Sequence, residues 1–309
     1  MHWNKVWKFR KGTNINQLQM AEIEVDTPAA NEVLVKVYVY GINNFDLLWI
    51  STSIEFPFGF EFCGEIVEIG KLVNQYKVGD IVIGLSNSTK QERRISEFCI
   101  AKEQYILHLS NNLSLQQGAA LSYSGLIATQ LIEKYNFKEK KVLIIGASGG
   151  IGHLFAQLIL DISKDVFVVS KARNIDFLSS IGLKNFIETD DNDQWNTIEK
   201  FDYIIDFSGK YTNQKLNEYL GTNGYIITTK ASEKSILSYL FSVFYKQNTD
   251  HFKLDISKKY FDLLSEKINQ NLIIPKVHQS INGIENVQSA YHLFKERGIQ
   301  GKLVLNLGC

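Results

Sequence analysis

Cysteine is scarce in this sequence of 309 residues, and its spacing excludes two kinds of site. Cys63, Cys99 and Cys309 are too few and too far apart for a disulfide framework or a Cys-x-x-Cys metal site. The six histidines show no paired spacing with one another or with cysteine, so a zinc ion has no evident set of ligands. We therefore predict reduced thiols and no bound metal.

The sequence also lacks an excess of charge and a long apolar run. Its 33 basic and 33 acidic residues give a formal net charge of zero, and neither sign forms long blocks. Neither nucleic acid nor an anionic membrane is therefore the expected partner. The apolar stretch 142–160 contains four glycines and is better explained as a strand and a helix than as a membrane span. The first residues contain no signal-peptide core, so we expect a cytoplasmic protein that acts on a small molecule.

Two kinds of hydrophobic pattern divide the chain. In the first hundred residues, short apolar segments bounded by turn residues are typical of strands, as at 32–40, 64–70, 78–84 and 96–101. A long helical stretch is predicted from 114 to about 135. Strands and helices then alternate, with strands predicted at 141–145, 165–169, 185–188, 201–206 and 224–228. This order predicts right-handed crossovers and a parallel sheet with helices on both faces. An amphipathic helix at 255–269 and a last strand at 302–306 complete the pattern.

The most informative motif is a glycine-rich turn between an apolar strand and a helix-compatible segment. After the strand the chain reads Gly146-Ala-Ser148-Gly149-Gly150-Ile151-Gly152. Glycine allows the backbone to turn sharply and to approach phosphates closely, and the start of the helix attracts negative charge. We predict that Gly146, Ser148, Gly149, Gly150 and Ile151 form a cradle for the pyrophosphate of a dinucleotide cofactor.

The residues after the second strand of this unit favour NADPH. An acidic residue at that place would bind the ribose hydroxyls of NAD and repel the extra phosphate of NADP. None stands there, and Ser170, Lys171 and Arg173 offer a hydroxyl and two cations that suit a 2′-phosphate. The alternative interpretation is a solvated basic turn.

The ends of two later strands are expected to border the nicotinamide ribose, since ligands bind beyond the carboxyl ends of a parallel sheet. Phe207 and Ser208 follow one of these strands, and Thr228 ends the other. Asp206 either belongs to this site or caps a turn.

Six motifs, taken with their order and spacing, resemble the zinc-independent medium-chain dehydrogenases/reductases of the quinone oxidoreductase-like group. The motifs are Gly41-Ile-Asn43-Asn44-Phe-Asp46, Gly59-Phe-Glu61-Phe-Cys-Gly64-Glu-Ile-Val-Glu-Ile-Gly70, Val78-Gly-Asp80-Ile-Val-Ile-Gly84, the glycine cradle, Phe201-Asp-Tyr-Ile-Ile-Asp206 and Gly301-Lys302-Leu-Val-Leu. The resemblance implies an α/β fold in which a Rossmann domain, with a doubly wound parallel sheet, is inserted into a GroES-like β-rich domain. The expected GroES-like parts are residues 1–115 and 253–309, and the expected Rossmann domain is 116–252.

The resemblance also implies that the catalytic metal of the zinc-dependent relatives is missing. Those relatives bind zinc through a Cys and a His-Glu pair, whereas this chain has Asn43 or Asn44 at the first position and Phe60-Glu61 at the second. The short polar segment 85–95 replaces the cysteine-rich lobe that holds structural zinc. A zinc alcohol dehydrogenase is therefore disfavoured.

The activity implied by the resemblance is hydride transfer from NADPH to a quinone or an α,β-unsaturated carbonyl. Asn43 is expected to orient nicotinamide or substrate, and Asp46 to hold local structure; the alternative is that both residues only cap a turn. Leu48 and Ile127 stand where some relatives carry hydroxyls, and Ser124 or Tyr123 is expected to compensate near the cofactor. The proton donor is unassigned.

Two questions stay open at this point. The sequence supplies a cofactor site more clearly than a catalytic acid, so the alternative function is a nucleotide-binding redox sensor or structural relative without efficient turnover. A homodimer joined through the cofactor-domain sheet is expected by analogy with the family. Aromatic and apolar residues that either line the substrate pocket or pack in the core are Trp49, Phe56, Phe58, Tyr123 and the segment 236–245.

Overall fold

The structure is a computed structural model that describes residues 3–8, 15–44, 46–47, 58–87, 94–163, 165–188, 199–229, 249–295 and 298–308. The chain forms two compact units. The first comprises Met1–Leu126 and Ile256–Cys309, and the second comprises Ile127–Asp255.

The N-terminal part of the chain is rich in strands. They are β1 (Trp3–Lys8), β2 (Gln19–Glu24), β3 (Glu32–Ile42), β4 (Phe58–Ile69), β5 (Ile81–Asn87), β6 (Arg94–Ser96), β7 (Phe98–Lys102) and β8 (Ile106–His108). Two helices follow, α1 (Leu115–Ala119) and α2 (Ser122–Lys134).

Strands and helices alternate in the rest of the chain. In order they are β9 (Val142–Ile145), α3 (Gly152–Leu160), β10 (Val166–Ser170), α4 (Ile175–Ile181), β11 (Asn185–Glu188), β12 (Phe201–Asp206), α5 (Asn213–Asn217), β13 (Leu220–Thr228), β14 (Thr249–His251), α6 (Lys258–Asn269), β15 (Val277–Asn282), α7 (Val287–His292) and β16 (Lys302–Asn306).

The main sheet of the first unit contains strands from both ends of the chain. Its order is β15-β16-β3-β4-β5-β8, and β7 also pairs with β3. The last strand, β16, runs antiparallel to β3, with Leu303 opposite Ile42 and Asn306 opposite Val39. Val33, Val35 and Val37 of β3 pack in the core of this unit, and every residue of β3 except Lys36 is buried, so the strand is covered on both faces. A smaller sheet has the order β2-β1-β6.

The second unit contains a six-stranded parallel sheet of order β11-β10-β9-β12-β13-β14. The chain starts at β9, near the middle, and winds outward first to one edge and then to the other. This is the order of a doubly wound Rossmann sheet, which confirms the predicted fold class. All four residues of β9 are buried, as a strand covered on both faces requires.

Two predicted helices differ from those observed. The stretch from 114 to 135 forms two helices, because the N–H groups of Ala120 and Leu121 bond to carbonyls three residues back and close a tight turn. The predicted helix at 255–269 begins only at Lys258 and buries Phe261, Leu264 and Ile268. Tyr260 and Leu263, which are also apolar, are only partly buried.

No helix among the described residues is both long and apolar enough to cross a membrane.

Candidate functional site

The first unit contains a buried ion pair between Lys302 and Glu61. The side chain of Glu61 is fully buried, and that of Lys302 is 4% exposed. The sheet brings the two residues together. Leu303 lies opposite Ile42, so Lys302 falls beside Asn43, and the pairing of Tyr40 with Phe62 places Glu61 beside Gly41. A charged pair in this position is expensive to desolvate, so it depends on the polar groups around it.

Gly41 makes room for this pair. A Cβ at this position would lie 2.2 Å from Glu61 Oε1 and 2.2 Å from the carbonyl oxygen of Ala119. Any side chain here would therefore displace the carboxylate from the cluster.

Every donor of the Lys302 ammonium has an acceptor. One is Glu61 Oε1, the second is Asn43 Oδ1 at 2.6 Å, and the third is Ser124 Oγ at 2.7 Å. The ammonium also lies 5.7 Å from the centre of the Tyr123 ring. An ammonium group has three hydrogens, so these bonds use its full capacity.

Glu61 is equally well satisfied. Its Oε1 also accepts from Asn43 Nδ2 at 3.2 Å, and its Oε2 accepts from the backbone N–H of Tyr123 at 2.7 Å. Asn43, predicted as an orienting residue, is thus held at both ends of its amide. Its neighbour Asn44 is exposed. Of the two asparagines that the sequence left open, Asn43 is the one that joins the cluster.

Asp46 lies next to this cluster and is 8% exposed. Its Oδ2 accepts from the backbone N–H of Asn43 at 2.8 Å and from the Tyr291 hydroxyl at 3.0 Å. Burial raises the pKa of Asp46 from 3.8 to about 7, although the Asn43 N–H, the Tyr291 hydroxyl and the Lys302 charge act in the opposite direction. Burial outweighs these three contributions, so Asp46 retains a proton up to about neutral pH.

Two tyrosines beside the cluster stay protonated. Burial, together with the negative charges of Asp46 and Glu61, raises the pKa of the Tyr123 hydroxyl above its usual value. Burial and the contact with Asp46 do the same to the pKa of Tyr291. Both hydroxyls are therefore hydrogen-bond donors over the whole physiological pH range.

The second unit contains the glycine-rich turn, between β9 and α3. Gly146 has a φ of +83°, a conformation that favours glycine. A Cβ on Gly152 would lie 2.2 Å from the carbonyl oxygen of Gly146, so the helix can begin this close to the strand only with glycine there. His153 accounts for the shape of the turn, because its backbone N–H and its Nδ1 both lie within hydrogen-bonding distance of the Gly149 carbonyl oxygen, at 3.1 and 2.8 Å.

Strand register brings the other predicted cofactor residues of this unit to the same edge of the sheet. Val169 lies opposite Ile145, which places Ser170, the last residue of β10, and the following Lys171 and Arg173 beside the turn. Asp206 also lies opposite Ile145, and Thr228 lies opposite Asp206. Phe207 and Ser208 follow Asp206, and a Cβ on Gly146 would meet the backbone nitrogen of Ser208 at 3.2 Å. The carboxyl ends of four adjacent strands thus carry the predicted residues.

Two side chains at this edge connect its loops. Asn174, which is buried, donates to the hydroxyl oxygen of Ser148 at 3.2 Å and so links the loop after β10 to the turn. Asp206 accepts three hydrogen bonds of 2.8 Å, from the N–H and hydroxyl of Ser208 and from the N–H of Gly209. Asp206 therefore has the turn-capping role that the sequence left as one of two alternatives.

Sequence reasoning missed Lys302, Glu61 and Tyr291 as members of a site. The first two residues could have been identified because each is an ionisable residue beside or within a strongly apolar strand. Such residues are seldom buried unless they are paired, so their positions indicate a buried ion pair. Several predicted residues lie outside the part of the chain that the structure describes. They are Leu48, Trp49, Phe56, the side chain of Phe58 and the segment 236–245.

Within the described ranges, no group of three or more His, Cys, Asp or Glu side chains is placed to hold a metal ion. The absence of a metal stays a prediction of the sequence, as do the individual cofactor contacts.

Comparison with known proteins agrees with both units. Residues 29–134 match the model of the alcohol dehydrogenase GroES-like domain. A chloroplastic quinone-oxidoreductase homolog of Spinacia oleracea is 26% identical, and the match covers 94% of this chain and 86% of the relative. The quinone oxidoreductase from Coxiella burnetii has a TM-score of 0.85 at 21% identity, over 99% of this chain and 100% of the other. CurK enoyl reductase has a TM-score of 0.78 at 21% identity, over 99% of both chains. The chain is therefore similar in sequence and in fold to quinone oxidoreductase-like proteins of the medium-chain dehydrogenase/reductase superfamily.

Proposed function

We propose that this protein is a zinc-independent oxidoreductase that transfers hydride from NADPH to a quinone or to an α,β-unsaturated carbonyl compound. The observation that carries the proposal is the edge of the parallel sheet in the second unit. There the glycine turn, the start of α3 and the basic residues after β10 lie side by side.

The glycine turn fits the pyrophosphate of a dinucleotide. Among the described residues, apart from the chain neighbours of Gly149, the nearest atom to a Cβ on Gly149 would be the carbonyl oxygen of Gly146, at 3.4 Å. The protein itself therefore does not require glycine at position 149, whereas a phosphate close to the backbone would. The N–H groups of His153 and Leu154 bond to carbonyls of the turn itself, so what the start of α3 offers an anion is chiefly the positive end of the helix dipole.

The residues after β10 support NADPH as the form of the cofactor. β10 ends at Ser170, and the next residues include Lys171 and Arg173 in place of the acid that binds the ribose of NAD. Arg173 is exposed, so its guanidinium is accessible to the phosphate group of a ligand that arrives from the solvent. The guanidinium fork bonds phosphate in a bidentate manner.

The cluster in the first unit supports an activated acceptor. The cofactor supplies a hydride, and a conjugated acceptor is already electrophilic, so no Lewis acid is required. The protein has to position the acceptor, exclude water and donate hydrogen bonds to the oxygen on which negative charge develops. Asn43 and Tyr123, which are partly buried, carry neutral donors for this purpose. The positions of the zinc ligands in relatives are held by an amide and by Phe60-Glu61, and Glu61 is paired with an ammonium that would repel a cation.

Anaerobic mixing of the purified protein with NADPH and a panel of quinones and enones tests the proposal. We expect oxidation of NADPH by at least one acceptor, with metal analysis showing no stoichiometric zinc. Tight NADPH binding without oxidation by any acceptor would instead favour a nucleotide-binding sensor. Zinc at one equivalent per chain would contradict the zinc-independent mechanism.

A further inference from the structure

The side chain of His153, the second residue of α3, is fully buried and contacts the glycine turn. Its ring nitrogen Nδ1 lies 2.8 Å from the carbonyl oxygen of Gly149. We propose that His153 is a positioning residue that holds the peptide between Gly149 and Gly150 in one orientation, so that the N–H of Gly150 is presented to a phosphate of the cofactor. The inference rests on the proposed function and assigns a role to a side chain outside the predicted set of cofactor residues.

The carbonyl oxygen of Gly149 accepts two hydrogen bonds. One comes from the backbone N–H of His153 at 3.1 Å and the other from the imidazole at 2.8 Å. A carbonyl oxygen can only accept, so the imidazole donates here and Nδ1 carries the hydrogen. The oxygen has two lone pairs, and both are used. The ring itself is held by burial and by the ring of Phe177 on α4, whose centre lies 6.1 Å away.

A peptide between two glycines has little conformational preference of its own. Glycine has no Cβ and adopts φ values that other residues avoid, so the peptide between Gly149 and Gly150 meets little steric resistance to rotation. Without the imidazole, one hydrogen bond to the Gly149 oxygen would oppose that rotation. The imidazole adds a second bond to the same oxygen and so favours a single orientation of the peptide.

The orientation of the Gly149 carbonyl also sets the direction of the Gly150 N–H. The two groups belong to one planar trans peptide and point in opposite directions. The carbonyl is directed at α3, so the N–H is directed away from the helix. Within the described ranges, no group of the protein accepts a hydrogen bond from this N–H. Gly150 is only partly buried, so a ligand can approach its backbone, and an oriented N–H at a helix start suits an anion.

The Gly150 N–H can be observed alone by NMR, because Gly149-Gly150 is the only pair of adjacent glycines in the sequence. Protein labelled with glycine that carries ¹³C at the carbonyl and ¹⁵N at the amide has a single peptide bond that joins the two labels. We expect its N–H to exchange rapidly with water in the ligand-free protein, and to shift downfield and exchange slowly when NADPH binds. If NADPH saturates the protein and this signal neither shifts nor becomes protected, the inference is overturned while the proposed function stands.

Fluorescence titrations with NADPH and NADH test the imidazole. His153→Leu removes the donor and keeps an apolar side chain in the buried position. We expect it to weaken the binding of both cofactors by the same factor, about 10-fold, because both carry the same pyrophosphate and one neutral hydrogen bond is lost. His153→Asn places its Nδ2 where the imidazole has Nδ1 and should recover most of the lost affinity. The matched control Gln157→Met removes a side-chain hydrogen bond to the His153 carbonyl oxygen, away from the turn, and should bind both cofactors as wild type does.

The outcomes separate the inference from the proposed function. Wild-type affinity in His153→Leu, or an equal loss in His153→Leu and His153→Asn, would overturn the inference alone. A loss of affinity in His153→Leu with the Gly150 N–H still shifted and protected by NADPH would also overturn it, because His153 would then support the helix and not the peptide. The NMR measurement on the wild-type protein decides the matter if His153→Leu does not fold. A wild-type protein that binds neither NADPH nor NADH would defeat the proposed function, and the inference with it.

Discussion

The raised pKa of Asp46 makes the stability of the first unit depend on pH. The pKa of this carboxyl is about 7 in the folded protein and 3.8 when it is unperturbed, because burial penalises the charged form. A group whose pKa is raised by folding stabilises the folded state at low pH, and the stabilisation is lost as the pH rises through the folded pKa. We therefore expect stability to fall between about pH 5 and pH 8.

The size of the effect follows from the shift. One pKa unit corresponds to about 1.4 kcal/mol, so Asp46 stabilises the folded state by on the order of 3 kcal/mol near pH 5 and by almost nothing near pH 8. The variant Asp46→Asn resembles the protonated carboxyl and retains an oxygen for the Asn43 N–H and the Tyr291 hydroxyl. It should be free of this dependence and be more stable than wild type at pH 8.

Urea denaturation at a series of pH values measures this difference. Trp7 is buried in the first unit and donates to the carbonyl oxygen of Ile284 at 2.6 Å, so its fluorescence reports the unfolding of that unit. All other ionisable groups are common to both proteins, so the wild-type minus Asp46→Asn difference isolates the carboxyl. Parallel curves for the two proteins from pH 5 to pH 8 would refute the raised pKa.

Three further predictions concern single side chains. Arg173→Ala should weaken NADPH binding by about 10- to 100-fold in fluorescence titrations and leave NADH binding almost unaffected, and an equal loss for both cofactors would refute the phosphate contact. The matched control Lys184→Ala, one residue before β11, should change neither affinity. Gly149→Val should abolish binding of both cofactors in calorimetry without lowering the melting temperature by more than a few degrees, and unchanged affinity would place the cradle elsewhere. Tyr291→Phe removes a hydroxyl that lowers the pKa of Asp46, so a carboxyl ¹³C titration should find that pKa above the wild-type value, and a lower value would contradict the hydrogen bond.

The glycine-rich turn and the neighbouring strand ends of the second unit could be predicted from the sequence, because the residue patterns that indicate them are local. The glycine turn and the strand before it lie within a dozen residues. The predicted strands alternate with helices, an order that is typical of a parallel sheet. The placement of Ser170, Phe207 and Thr228 at one edge then follows from the fold class, since parallel strands end on the same side.

The cluster in the first unit could not be predicted in this way because it depends on long-range register. Lys302 and Glu61 meet only because β16 pairs with β3 and β3 pairs with β4 in one alignment. A shift of one residue would turn either side chain to the other face of the sheet. Nothing near Lys302 in the sequence indicates that its partners are Asn43 and Ser124. The break between α1 and α2 likewise depends on a turn that helical periodicity does not show.

Transfer of deuterium tests hydride transfer most directly. The protein is mixed with NADPH that carries deuterium on one face of the nicotinamide C4, together with an acceptor, and both the NADP⁺ formed and the reduced product are analysed by mass spectrometry. The account predicts that deuterium on one face leaves the nicotinamide and that deuterium on the other face stays in NADP⁺; a reduced enone then holds one deuterium on carbon, whereas a hydroquinone exchanges its deuterium with water. Tight binding of NADPH with no transfer of the label from either face, over the full panel of quinones and enones, would contradict it.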